Sequence, residues 1–166
     1  LPVLPVAGDG SAPALLSGLP GGGGADTLRG SSRPELLDGA AGDDLLYGLG
    51  GNDQIIDGPG HDISHGGDGD DTLFGGFGGD QLFGGEGNDA IGIALTGGIV
   101  RVIADGGTGN DVINVINGSP SNTNQPVTVT GGEGADQISL GGFAPGNLID
   151  AGAGNDLLNG KGGNDT

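Results

Sequence analysis

An acidic residue recurs every nine positions over residues 26–89, without a break. A glycine stands two positions before most of these acids, and leucine or isoleucine stands two positions after most of them. The repeating unit is G-G-x-G-x-D-x-(Leu/Ile)-x, and its eight acids are Asp26, Glu35, Asp44, Asp53, Asp62, Asp71, Asp80 and Asp89. So much glycine disfavours a helix, whereas eight units in phase predict a solenoid of stacked, similar coils.

The composition excludes an ordinary globular core. Glycine accounts for 43 of the 166 residues and aromatic residues for 3%. The formal net charge is −18 with four basic residues, so the chain repels nucleic acid and anionic membrane surfaces. Cysteine is absent, which excludes disulfides and thiolate metal sites, and no apolar run approaches the roughly 20 residues that span a bilayer. Such a chain is expected to be disordered unless periodicity or bound cations order it.

Each slot of the repeat has a physical role. Glycines tolerate positive φ angles and leave backbone carbonyls free to face an ion, and aspartate adds a hard anionic oxygen of the kind that calcium prefers. The three residues after the acid predict a short strand whose middle residue points inward. One buried leucine or isoleucine per nine residues makes a thin core. Burial of that one side chain cannot by itself offset the backbone entropy lost on folding, which costs about 1–2 kcal/mol per ordered residue. The repeat therefore indicates a fold that depends on bound calcium.

Residues 21–92 resemble the repeats-in-toxin (RTX) β-roll of secreted hemolysins, serralysin-type proteases, lipases and alginate epimerases. The resemblance implies an all-β, right-handed parallel β-roll or β-helix solenoid stapled by calcium ions, in which two nonapeptides form one coil. It also implies that each ion lies between two stacked loops. One loop supplies carbonyls 2 and 4 with its aspartate, and the next loop supplies carbonyls 1 and 3 with its own aspartate.

The family pattern assigns ligands to this chain along two edges of the roll. On one edge the acids pair as Asp26 with Asp44, Asp44 with Asp62, and Asp62 with Asp80, and the carbonyl donors are Gly22, Gly24, Gly39 and Ala41, then Ala40, Gly42, Asp57 and Pro59, then Gly58, Gly60, Gly75 and Phe77. On the other edge Asp53 pairs with Asp71, and Asp71 with Asp89, with carbonyls from Leu49, Gly51, Gly66 and Asp68, then from Gly67, Gly69, Gly84 and Glu86.

After residue 92 the period lengthens, and loops of the same type end at Asp111, Asp136, Asp156 and Asp165. We interpret residues 93–166 as wider coils with one calcium loop per coil and an ordinary turn opposite, and "NGSPSNTNQP" as a surface excursion. The further sites are Asp89–Asp111 with Gly85, Gly87, Gly106 and Thr108, Asp111–Asp136 with Gly107, Gly109, Gly131 and Glu133, and Asp136–Asp156 with Gly132, Gly134, Ala151 and Ala153. Roughly six to eight calcium ions would offset most of the negative charge. Residues 1–20 are interpreted as a Pro/Gly-rich linker or capping arm.

Two repeats depart from the pattern. "GSSRPELLD" places Arg33 where glycine is wanted and adds Pro34, so we expect the Glu35 loop to be vacant and to act as an early cap. "DGPGHDISH" places Ser64 in the core slot beside Ile63, and a local slip of the strand could bury Ile63 instead.

Other chemistry finds little support. His61 and His65 flank Asp62 but are expected to be an exposed, non-functional pair, and neither H-E-x-x-H nor G-x-S-x-G occurs, so the chain is not expected to be an enzyme. The outward slot stacks Arg29, Tyr47, His65 and Phe83 on one side, and Ile56 and Phe74 on the other. These residues either cover the strand surface or form a contact stripe for another subunit or domain.

Two functions remain open. The first is an extracellular or cell-surface bacterial module that folds on binding calcium and stabilises the rest of a larger secreted protein. No family-type C-terminal secretion segment follows the repeats, which suits a fragment. The second is a calcium-gated subunit that assembles with copies of itself into a surface layer, filament or matrix. In both, calcium is the partner, and neither nucleic acid nor a membrane span is involved.

Overall fold

The computed structural model describes residues 16–95, 101–117, 127–141 and 147–161. Every regular element in these ranges is a β-strand. The strands are β1 (Leu16–Gly23), β2 (Thr27–Arg29), β3 (Glu35–Ala41), β4 (Leu45–Gly50), β5 (Gln54–Gly60), β6 (Ile63–Asp68), β7 (Thr72–Gly78), β8 (Gln81–Glu86), β9 (Ala90–Leu95), β10 (Val102–Thr108), β11 (Val112–Asn117), β12 (Val127–Glu133), β13 (Gln137–Gly141), β14 (Leu148–Ala153) and β15 (Leu157–Lys161).

Alternate strands belong to different sheets. The odd-numbered strands form an eight-stranded sheet in chain order, and the even-numbered strands form a seven-stranded sheet in chain order. The strand pairs are parallel throughout, as in β4 with β6 and β5 with β7. One coil therefore consists of one strand from each sheet, and the predicted all-β parallel solenoid is confirmed.

The strand register follows the repeat. In the seven-stranded sheet Leu46 pairs with Ser64, and Ser64 pairs with Leu82, so equivalent residues lie 18 apart. In the later coils equivalent acids are separated by 22, 25 and 20 residues. The acids themselves remain bonded in the same way across these longer coils.

The core is a ladder of aliphatic side chains between the two sheets. From β2 to β8 every strand except β6 contributes one large buried side chain at the predicted slot, as Leu46, Ile55 and Leu73 do with 0% exposure. From β9 to β13 each strand contributes two or more, because the sequence alternates apolar and polar residues for longer. These further core residues are Ile91, Ile93, Leu95, Val102, Ala104, Ile113, Val115, Val127, Val129, Ile138 and Leu140.

Ser64 occupies its core slot, and the alternative in which a strand slip buries Ile63 is wrong. Ser64 is fully buried, whereas Ile63 is half-buried. The register is fixed by two backbone hydrogen bonds, from the Ile63 N–H to the Asp44 carbonyl (2.9 Å) and from the Gln81 N–H to the Asp62 carbonyl (2.9 Å). A slip of one residue would break both bonds and turn every side chain of β6 to the opposite face.

The strands are longer than the three residues predicted after each acid. Many extend into the following glycines, because parallel pairing continues there, as between Gly67 and Gly85. β1 begins at Leu16 and pairs with β3, so the solenoid starts within the segment interpreted as a linker or arm. Residues 1–15, the turns opposite the later acidic loops, the excursion at 118–126 and the loop ending at Asp165 lie outside the described residues.

The predicted outward stack is present on the seven-stranded sheet. The guanidinium carbon of Arg29 lies 4.7 Å from the centre of the Tyr47 ring. The Tyr47 and His65 rings stack at 5.1 Å, and the His65 and Phe83 rings at 4.8 Å, nearly parallel in both cases. On the other sheet Ile56 pairs with Phe74. Such stacked pairs stabilise neighbouring coils modestly, by about 0.2–1 kcal/mol each.

Candidate metal centre

The acidic residues form two rows along the solenoid, one at each edge. The short row precedes the strands of the seven-stranded sheet and contains Asp26, Asp44, Asp62 and Asp80. The long row precedes the strands of the eight-stranded sheet and contains Glu35, Asp53, Asp71, Asp89, Asp111, Asp136 and Asp156. The structure therefore brings together every pair of acids that the sequence assigned to a common site.

One carboxylate oxygen of each acid binds the preceding coil. Oδ1 of Asp71 accepts a hydrogen bond from the Asp53 N–H at 2.7 Å, and Oδ1 of Asp89 accepts one from the Asp71 N–H at 2.8 Å. The same bond joins consecutive acids along both rows. Each carboxylate is thereby fixed in orientation, with its second oxygen directed into the loop.

The second oxygen has no partner over most of both rows. Within the described ranges, Oδ2 is buried without a hydrogen bond in Asp44, Asp53, Asp62, Asp71, Asp80, Asp89, Asp111 and Asp136. A buried polar atom without a partner costs about 1–3 kcal/mol, and more when it is charged. A row of such atoms calls for a cation.

Backbone carbonyls converge on the same points as these oxygens. A Cβ added to Gly66 would lie 2.6 Å from the Gly84 carbonyl oxygen and within 3.0 Å of Asp71 Oδ2. Gly48, Gly84, Gly106 and Gly131 face the equivalent pair of oxygens, one from their own loop and one from the next coil. Anionic and carbonyl oxygens gathered without a donor between them form the kind of site that calcium prefers, so the residues present fit a calcium ion.

Glycine serves two different purposes in these loops. At the first loop position, as at Gly66, it leaves room for the two oxygens. At the second and fourth positions it adopts positive φ, as at Gly67 (116°) and Gly69 (132°). The second position also holds Ala40 (φ 70°) and Leu49 (φ 80°), which shows that the left-handed region is tolerated there by other residues at some cost in strain.

The first acid of each row differs from the rest. Asp26 Oδ2 accepts a hydrogen bond from the Gly22 N–H of its own loop at 2.7 Å. Glu35 Oε2 accepts one from the Ser31 N–H at 2.6 Å, and Glu35 Oε1 accepts one from the Ser31 hydroxyl. These two carboxylates are therefore satisfied within their own loops, whereas those further along are not.

Burial raises the pKa of most row carboxylates in the metal-free roll. Desolvation is the main cause, and neighbouring carboxylates add to it. The pKa rises to about 7 in Asp53 and Asp89, and to about 6 in Asp62, Asp71 and Asp111. The pKa of Asp44 and of Asp80 is also raised by burial. A cation would reverse this effect by stabilising the charged form.

Acid is expected to stabilise the metal-free roll and to weaken calcium binding. An unfolded aspartate has a pKa of about 3.9, so a group raised to about 6–7 in the roll contributes stability that is complete below about pH 4 and lost as the pH rises through 6–7. In chelator, circular dichroism should show more β-structure near pH 4 than at pH 8. The calcium concentration at half-saturation should rise as the pH falls from 8 to 6. An unchanged midpoint would contradict the coupling of proton and calcium binding.

An outer polar ladder accompanies the long row and was not predicted. The Asp70 N–H donates to Asn52 Oδ1 (3.2 Å), the Asn88 N–H to Asp70 Oδ1 (2.8 Å) and the Asn110 N–H to Asn88 Oδ1 (2.9 Å). The signal in the sequence is an aspartate or asparagine directly before the row acid. In the short row His61 takes this place, since its Nδ1 accepts a hydrogen bond from the Gly79 N–H (3.1 Å).

The histidines do not form a metal pair. His61 is exposed and belongs to the outer ladder, while His65 lies in the aromatic stack, where burial lowers its pKa. The expectation of two exposed side chains is wrong for His65, which is half-buried because Tyr47 and Phe83 cover both faces of its ring.

Loops of this kind match a known family of repeats. The model of the RTX calcium-binding nonapeptide repeat matches the chain in four copies, at residues 20–55, 56–91, 126–144 and 146–166, which cover more than half of its length. The chain belongs to the RTX repeat family. RTX repeats bind calcium and form a structural rather than a catalytic module. The RTX match leaves residues 92–125 uncovered, yet the Asp111 loop within them has the same hydrogen bond to its neighbour as the matched loops.

No curated protein matches the RTX chain. The part of it that the structure describes contains no helix with the length and apolarity needed to cross a membrane.

Proposed function

We propose that this chain is an extracellular RTX module that folds on binding calcium and stabilises a larger secreted protein. The observation that supports this function best is the line of buried Oδ2 atoms without partners. Those atoms destabilise the roll without metal and ligate calcium with it. Extracellular modules bind calcium with dissociation constants of about 10⁻⁴–10⁻³ M, so the fold would respond to calcium outside the cell.

The ligands proposed are the row acids and the carbonyls that the family pattern assigns to them. In the short row the sites between Asp44 and Asp80 are supported by buried Oδ2 atoms without partners on the facing acids. In the long row the same holds for the sites between Asp53 and Asp136. The Glu35 loop is proposed to remain without an ion, because Ser31 already satisfies both oxygens of Glu35. The proposed division at residues 20 and 92 separates an arm, whose last residues begin β1, from the regular coils and these from the wider coils.

A second candidate function is calcium-gated assembly. The observation that favours it is the outward apolar surface of β7, where Phe74 is 44% exposed and Phe77 60%. Exposed apolar surface of this kind can form a contact with another subunit.

Light scattering during a calcium titration separates the two functions. For the folding module we expect the mass to stay at one chain, 15.8 kDa, while the hydrodynamic radius falls as calcium rises to about 10 mM, above the expected affinity range. For the assembling subunit the mass should rise and fall again with chelator. If neither the mass nor the radius changes and equilibrium dialysis shows no calcium uptake, both functions are contradicted. Magnesium at equal concentration is the control.

A further inference from the structure

Asp57 stands at the first position of its acidic loop, which is glycine in every other described loop except that of Asp156, where it is Ala151. The equivalent residues Gly39, Gly48, Gly66, Gly84, Gly106 and Gly131 leave space for oxygens from two coils. Asp57 is nevertheless fully buried. It lies where the pairing of β5 with β7 changes register, between Ile56 and Gly58, and its Oδ1 accepts a hydrogen bond from the Gly76 N–H at 2.7 Å. The irregular pairing thus admits a side chain that the regular coil excludes.

The Asp57 side chain enters the space between two acids of the short row. One carboxylate oxygen from each of Asp57, Asp62 and Asp80 lies within 4.8 Å of the others. All three residues are buried, and Oδ2 of each has no hydrogen-bond partner. Oδ1 of each is held by a backbone N–H, from Gly76, Asp44 and Asp62 respectively. Three fixed carboxylates therefore each direct one free oxygen into a shared, water-excluded space.

We propose that Asp57, Asp62 and Asp80 form a three-carboxylate calcium site that is the tightest in the chain and fills first. The proposal rests on the calcium-binding function above and adds a ligand to one of its sites. The other sites bring two carboxylates together, and calcium affinity rises with the number of charged ligands. The neighbouring site is linked to this one through the same residue, because the Asp57 carbonyl oxygen and Asp44 Oδ2 both lie beside Gly39. Asp57 thus gives its carbonyl to one site and its carboxylate to the next.

Isothermal titration calorimetry of the whole chain with calcium tests the proposal. The wild type should show a class of about one site that is tighter than the rest. Since loss of a group that merely supports a metal site lowers affinity by about 10–100-fold, Asp57→Asn should weaken the tight class by at least tenfold. Asp43→Asn is the matched control, because it removes the same charge from the same edge. Asp43 Oδ1 accepts a hydrogen bond from the exposed His61 N–H at 2.9 Å, and Asn52, Asn88 and Asn110 fill the equivalent acceptor position beside the long row.

The variant Asp57→Gly keeps the experiment decisive if asparagine impairs folding, because it restores the glycine of the regular repeat. It should also lose the tight class while the remaining sites still fill. Terbium luminescence gives an independent readout. The signal from the first ion added should appear in the wild type and in Asp43→Asn, and should be absent from the two Asp57 variants. Wild-type affinities that Asp57→Asn and Asp57→Gly leave unchanged would overturn the three-carboxylate site alone. A wild type that binds no calcium would overturn the proposed function itself.

Discussion

Removal of calcium at neutral pH is expected to convert the roll into a disordered chain. In the folded state Asp53, Asp71 and Asp89 stack in consecutive coils with buried, unpartnered oxygens, and each regular nonapeptide buries at most one large aliphatic side chain. Burial of so few aliphatic side chains does not offset both the repulsion between the stacked carboxylates and the loss of backbone entropy on folding. Each site held at 100 times its dissociation constant contributes about 2.7 kcal/mol, so several sites suffice to reverse the balance.

Far-UV circular dichroism and amide hydrogen exchange would measure this transition. The β-sheet signal and the protected amides should both be lost on adding chelator and return together on adding calcium. Magnesium is the control, because it demands a smaller, octahedral site and retains its water, and it should not restore protection at equal concentration. Protected amides that persist in chelator at neutral pH would show that the aliphatic ladder alone holds the fold.

Replacement of Gly66 by alanine is expected to disrupt the Asp71–Asp89 site and the coils on either side of it. The added Cβ would lie 2.6 Å from the Gly84 carbonyl oxygen and closer still to Asp71 Oδ2. Real Cβ atoms essentially never approach other atoms closer than 3.0 Å, so the carboxylate or the next coil must move. Overpacking of this kind costs about 1–3 kcal/mol, and loss of the bound ion adds to that.

Gly92→Ala is the matched control for this substitution. A Cβ at Gly92 would meet Phe74 at 3.5 Å, an ordinary contact, and the φ angle is positive at neither Gly66 nor Gly92. We expect Gly66→Ala to require several-fold more calcium for folding, and Gly92→Ala to fold at the wild-type concentration, as measured by circular dichroism. Equal midpoints for the two variants would mean that the space beside Gly66 is not part of a calcium site.

The nine-residue period predicted most of the architecture because it specifies both the stacking register of the coils and the face of each strand that points inward. The acid at each ninth position sets the stacking register, and the aliphatic residue two positions later sets the inward face. Even the weak repeat at Ser64 keeps its place, because its neighbours fix the pairing through backbone bonds that do not depend on its side chain. Register was therefore encoded redundantly, and one unsuitable core residue did not alter it.

The Asp57 carboxylate could not be placed from the sequence. The repeat assigns position 57 a carbonyl role, and no periodic rule indicates that the pairing of β5 with β7 becomes irregular there. The signal was an acid in a slot that is otherwise mostly glycine. The extra length of the strands was missed for a similar reason, because glycine is unfavourable in an isolated strand, yet the stack pairs its backbone on both sides.

The hydrogen bonds between row acids all run in one direction along the chain. The N–H of each acid donates to the carboxylate of the acid one coil later, as from Asp53 to Asp71 and from Asp71 to Asp89. Through the row acids, each coil therefore donates to its successor. The outer polar ladder runs the other way, from the N–H of a later coil to a side chain of the earlier one. An inner coil consequently cannot open without breaking side-chain bonds to both of its neighbours, and the stack becomes more stable with the number of coils joined.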